Sequence, residues 1–125
     1  MTYTSSGGIV RVNADLTNAY SRSSADVRRW NRDLELQGTR LRVHDSCDVA
    51  PGVSPVWQVH TPVRPIAQPD GSLVAGTLRI VPVLPATPTV SVVEMRTVNA
   101  EVEAGRWRTE LRGLTCEFTV DLVAQ

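Results

Sequence analysis

Apolar residues in this chain recur at every second position, in short runs cut by glycine and proline. That pattern fits strands with one buried face and excludes a helical fold. "VRRWNRDLEL" places Trp30, Leu34 and Leu36 on one face, "RLRVHDSCDV" places Leu41, Val43 and Cys47 together, and "PVWQVHTPV" does the same for Trp57, Val59, Thr61 and Val63. The nearest approach to a helical period is "SSADVRRWNRDLEL", and its apolar positions fit a strand better.

The punctuation supports the same reading. "QGT", "QPDGS", "PATP" and "EAGRW" are turn signals, the strongest being Asp70-Gly71, whose residues tolerate positive φ. A polar approach, "MTYTSSGG", leads into a short strand near Ile9 to Asn13, and "NAYSRSSAD" reads as a loop. "LVAGTLRIVPVL" and "PTVSVVEMRTV" read as Val-rich strands, and "RWRTELRG" and "CEFTVDLVAQ" as a closing hairpin. The prolines fall between runs or at edge positions, as strands require. The expected fold is all-β, an antiparallel β-sandwich of about eight to ten short strands. With 125 residues it forms a single domain over 1–125.

Charge narrows the function classes. The formal net charge is zero, which argues against nucleic acid or an anionic membrane as partner. No apolar run approaches the roughly 20 residues of a membrane span, and the N-terminus lacks a signal-peptide pattern. Its polar opening reads as a piece of a longer protein. All 13 basic residues are arginine; coding bias explains this, the alternative being arginine forks for carboxylate or sulfate. Cys47 and Cys116, both in apolar strand-like stretches, are expected as buried free thiols, with a disulfide the alternative.

Both histidines lie in "LRVHDSCDVAPGVSPVWQVHTP". Pairing the two halves about Gly52 sets Cys47 opposite Trp57, Val43 opposite Thr61 and His44 opposite His60. Opposed Cβ atoms on one face stand about 4.5–5.5 Å apart, so the two imidazoles would be neighbours on a polar face. Two ligands are too few for a stable zinc site. Asp45 falls on the apolar face, where a lone carboxylate is costly. Arg28 and Arg32 share the parity of Trp30, so either can turn inward to it; Asp45 with Arg32 is the candidate structural pair.

"ADLTNAY", "VRRWNRDLEL", "LRVHDSCDV" and "PVWQVHTPVRP", in that order, resemble the C-terminal β-sandwich region of heparinase II/III-like polysaccharide lyases, through Asp15, Thr17, Ala19, Tyr20, Arg32, Val43, Asp45 and the Val59-His60-Thr61 step. "GRWRTELRG" and "FTVDLVA" look like the closing strands of such a domain. The resemblance implies a sandwich packed on a helical toroid that supplies most catalytic residues, closing a cleft for acidic polysaccharides such as glycosaminoglycan or alginate. The chemistry it implies is β-elimination: a base takes the C5 proton and the enolate-like carboxylate is stabilised. It implies no catalytic residue and no cofactor in this chain, and a parent enzyme in the periplasm or outside the cell. In some relatives the sandwich holds a structural zinc. His60 matches one ligand position, while the His-x-His stretch of the set is absent here. "VHDSC" also departs from the family's usual Asp-Arg step.

Two other functions are weighed beside it. A carbohydrate-binding module would use Trp57, Trp107 and Tyr20 as stacking surfaces, with Arg64 or Arg106 meeting carboxylates; strand parity instead puts Trp30, Trp57 and Trp107 in the core. A small structural or assembly protein, such as a phage component, fits the same composition.

Overall fold

The structure, a computed structural model, describes residues 1–23, 25–95 and 106–125. It is an antiparallel β-sandwich. In chain order the strands are β1 (Thr2–Ser6), β2 (Ile9–Asp15), β3 (Val27–Gln37), β4 (Arg40–Val49), β5 (Val56–Thr61), β6 (Ile66–Ala67), β7 (Leu73–Ala75), β8 (Leu78–Leu84), β9 (Thr89–Met95), β10 (Arg106–Arg112) and β11 (Glu117–Ala124). One sheet has eight strands, ordered β1-β2-β3-β4-β11-β8-β7-β6, and the other three, ordered β5-β10-β9.

The strand inventory exceeds the expectation at two places. The polar opening is itself a strand, fully exposed and paired to β2 through Gly7-Gly8, both at positive φ as a two-residue hairpin turn of type I′ demands. "LVAGTLRIVPVL" divides at Gly76-Thr77 into β7 and β8. The Asp-Gly signal forms its turn, between β6 and β7: the Asp70 carboxylate accepts from the Ser72 backbone N–H at 2.9 Å and its hydroxyl at 2.6 Å. "NAYSRSSAD" carries a 3-10 segment over Thr17–Ser23. The expected turn at "EAG", 103–105, lies outside the described residues.

The chain changes sheets at each of the links 50–55, 62–65, 85–88 and 113–116. These crossings overturn both expected hairpins. β4 pairs with β3 and β11, whereas β5 pairs with β10. Likewise β10 and β11 do not pair. Alternation in sequence fixes which face of a strand is apolar but not which strand lies beside it. A sandwich needs facing apolar layers, so β10 brings Leu111 across to cover Phe118 and Val120 of β11. Gly113 lets that link run tight against the preceding one: a Cβ there would sit 2.9 Å from Pro85 Cγ.

Val43, Trp57, Leu73, Ile80, Leu111, Phe118 and Val120 form the core, drawn from both sheets. β11 sits mid-sheet between β4 and β8, and Phe118 and Val120 have no exposed surface.

Cys47 and Cys116 form a disulfide, with Cα atoms 5.1 Å apart. This corrects the expectation of free thiols. The cysteines are 69 residues apart, and only the β4–β11 pairing, invisible in the local pattern, makes them neighbours. The bond restricts the unfolded chain over that long loop. The double substitution Cys47→Ser with Cys116→Ser is expected to cost about 2–5 kcal/mol, read as a lower urea midpoint; equal midpoints would show that the bond contributes nothing.

Candidate functional site

The small sheet ends at β5 while the large sheet continues outward through β3, β2 and β1. A cleft of about 400 Å³ opens where the cover stops. Its large-sheet wall is Trp30 and Arg32 of β3 with Val49 of β4, its small-sheet wall is Trp57 and Gln58 of β5, and residues 53–55 of the crossover close one end. Tyr20, from the 3-10 segment, lies at its mouth, stacked on Trp30 with ring centroids 5.1 Å apart.

Local sequence explains this corner. Asp15 Oδ1 accepts from the Thr17 backbone N–H at 2.9 Å and from its hydroxyl at 2.6 Å. These bonds hold the Asp15 carboxyl below its usual range. Thr17 Oγ1 in turn accepts from the Trp30 backbone N–H at 3.0 Å, tying the 3-10 segment to the bulged start of β3 and setting Tyr20 over the indole. Burial pushes the Tyr20 phenol above its ordinary pKa.

Arg32 and Asp45 are opposed on β3 and β4. Arg32 Nε and Nη2 donate to the two Asp45 oxygens at 2.7 and 2.6 Å. Asp45 is fully buried and the Arg32 side chain 33% exposed, so the guanidinium bridges interior and cleft. The hydrogen bonds that Arg32 donates to Asp45 raise the Arg32 pKa further. Arg28 instead lies 3.9 Å from Asp48 at the surface. Both indoles of the cleft are nearly sealed, Trp30 at 5% and Trp57 at 3% exposure. Each Nε1 is buried without a hydrogen-bond acceptor among the described residues. Buried indole N–H groups normally have one.

The other expected site residues are dispersed. Trp57, read as a sugar contact, is buried and offers no ring face to solvent. Trp107 is half-buried, and the exposed Arg64 lies over its ring at 5.2 Å. His44 and His60 are in different sheets. The His44 Nδ1 and Thr119 Oγ1 share a hydrogen bond of 2.7 Å, and Nε2 lies 3.6 Å from Glu117. His60 is exposed, opposite Arg108, with Arg106 on the same small surface hollow. Two guanidinium neighbours do not fit a metal cation, and no group of three metal-ligating side chains occurs among the described residues.

Sequence reading missed the crossover wall at 53–55, because the false hairpin turned this segment back along β4. It also missed a charged row on the outer face of β10. There Glu110, only 7% exposed, lies 2.8 Å from both Arg108 Nε and Arg112 Nη1. The i, i+2, i+4 spacing of "RTELR" carried that signal. On the outer face of the large sheet, Arg42 Nε and Nη2 donate to Asp121 at 2.7 and 2.8 Å. No protein-family model matches the chain, and no curated protein matches it.

Two outcomes follow from the ion pairs. Arg32→Met leaves Asp45 buried without its cation. Because Arg32 is itself 33% exposed, the cost is expected at about 3 kcal/mol, the low end for such a loss, measured by urea unfolding; a change under about 1 kcal/mol would show the pair to be dispensable. The Arg42 hydrogen bonds lower the folded-state pKa of Asp121. Its contribution is therefore fully present above the unfolded value of about 3.9 and is lost as pH falls through the lowered folded value. In Asp121→Asn the loss of stability below about pH 4 should be shallower than in the parent chain; identical acid slopes would contradict this.

Proposed function

We propose that the chain is a non-catalytic β-sandwich module of a polysaccharide lyase, packing on a helical toroid domain and helping to form the cleft for uronic-acid polysaccharides. The observation that carries this is the large sheet's overhang beyond β5. On the core-side parity of that overhang stand Tyr3, 66% exposed, and Leu36, 45% exposed, with half-buried Val10 and Val12 between them. An apolar row on an uncovered sheet face suits burial against another domain.

The residues that carry the family resemblance favour the same reading. Asp15, Thr17, Tyr20, Arg32 and Asp45 are scattered in sequence but meet at the border between covered and uncovered sheet. The disulfide suits a parent enzyme working in an oxidising compartment. In this reading the base that removes the C5 proton and the groups that stabilise the resulting carboxylate charge belong to the toroid, and the sandwich contributes shape and closure.

The test combines this chain in trans with the helical domain of the parent enzyme and follows unsaturated uronate by its absorbance. The chain alone should release no product and should raise the turnover of the helical domain. Leu36→Asp, a surface change, should abolish that rise without shifting the thermal midpoint of the sandwich. Product from the chain alone, or a helical domain indifferent to its presence, would sink the proposal.

A further inference from the structure

We propose that the cleft between β3 and β5 binds a neutral, hydroxyl-rich ring the size of one or two sugar units. The module reading neither requires this site nor falls with it. The volume of about 400 Å³ lies within the range of small-molecule clefts. The lining has the composition such clefts share, mostly apolar and aromatic walls with a few convergent polar groups.

The charge balance selects the ligand. Arg32 is the one charged residue among the described residues lining the cleft. Asp45 already neutralises it, so a ligand carboxylate would gain little net attraction. The guanidinium still has donors to offer. Two of its five N–H groups go to Asp45, and the other three have no acceptor among the described residues. Ser54 adds a hydroxyl. An array of donors around a neutralised cation suits hydroxyl oxygens, which accept hydrogen bonds without carrying charge.

The aromatic side of the cleft points the same way. Tyr20 is half-buried, and only one of its faces is taken by Trp30, so it can stack on the apolar face of a pyranose.

Titration followed by tryptophan fluorescence tests this, in a Trp107→Phe background so that only Trp30 and Trp57 report. Glucose, galactose, mannose, maltose and cellobiose are the neutral probes, and glucuronate the charged one. At least one neutral sugar should give a saturable change, and glucuronate should bind at least about tenfold more weakly. Tyr20→Ala and Ser54→Ala should each weaken the response about tenfold, Ser54→Ala with the thermal midpoint unchanged. No saturable response to any neutral probe up to ~100 mM overturns the proposal. So does tighter binding of glucuronate, or a response indifferent to both substitutions.

Discussion

Asp45 has no contact with solvent, and the corner of the sandwich around it is arranged to keep one guanidinium on its carboxylate. The position demands this: in the register Asp45 stands opposite Phe118, a fully buried core residue, and beside Val43 two positions along the same face. A lone charge there would be costly to bury. Holding Arg32 in place fixes β3 against β4, and β3 carries Trp30, on which Tyr20 rests. The ion pair thus sets one wall of the cleft as well as neutralising a buried charge.

The mismatch between sheets of eight and three strands governs the rest. Three strands cover the β4-β11-β8-β7 part of the large sheet, where the core residues lie, and leave β1 and β2 outside. Between those zones lies a border that is neither core nor free surface. The cleft occupies it, and the overhang beyond offers the apolar row to a further domain. The outer face of the overhang is polar: Arg11 bonds Glu35 at 3.0 Å and Asn13 bonds Asp33, so the two sides of the same strands have opposite character.

Much of the fold was legible in the sequence because alternation is a local signal. It revealed the all-β class, most strand spans, the inward parity of Trp30, Trp57 and Asp45, and the Asp-Gly turn. Neighbour relations were not legible. The Pro-Gly break at 51–52 has the residues of a hairpin turn but serves a crossover between sheets, and nothing within a few residues distinguishes the two. His44 against His60 was lost for that reason, and the disulfide was missed because its partners meet only through a long-range pairing. The cleft was half legible: Tyr20, Trp30 and Arg32 stand out, while 53–55 becomes a wall only once β5 crosses over.

β11 is central in space and last in chain order. It joins β4 on one side and β8 on the other, so during synthesis the large sheet exists as two separate pieces, β1 to β4 and β6 to β8, until residues 117–124 leave the ribosome. Cys47 has to wait equally long for Cys116. By topology this sandwich therefore cannot close before its last-made strand, and the apolar faces of both pieces need shelter until that keystone arrives.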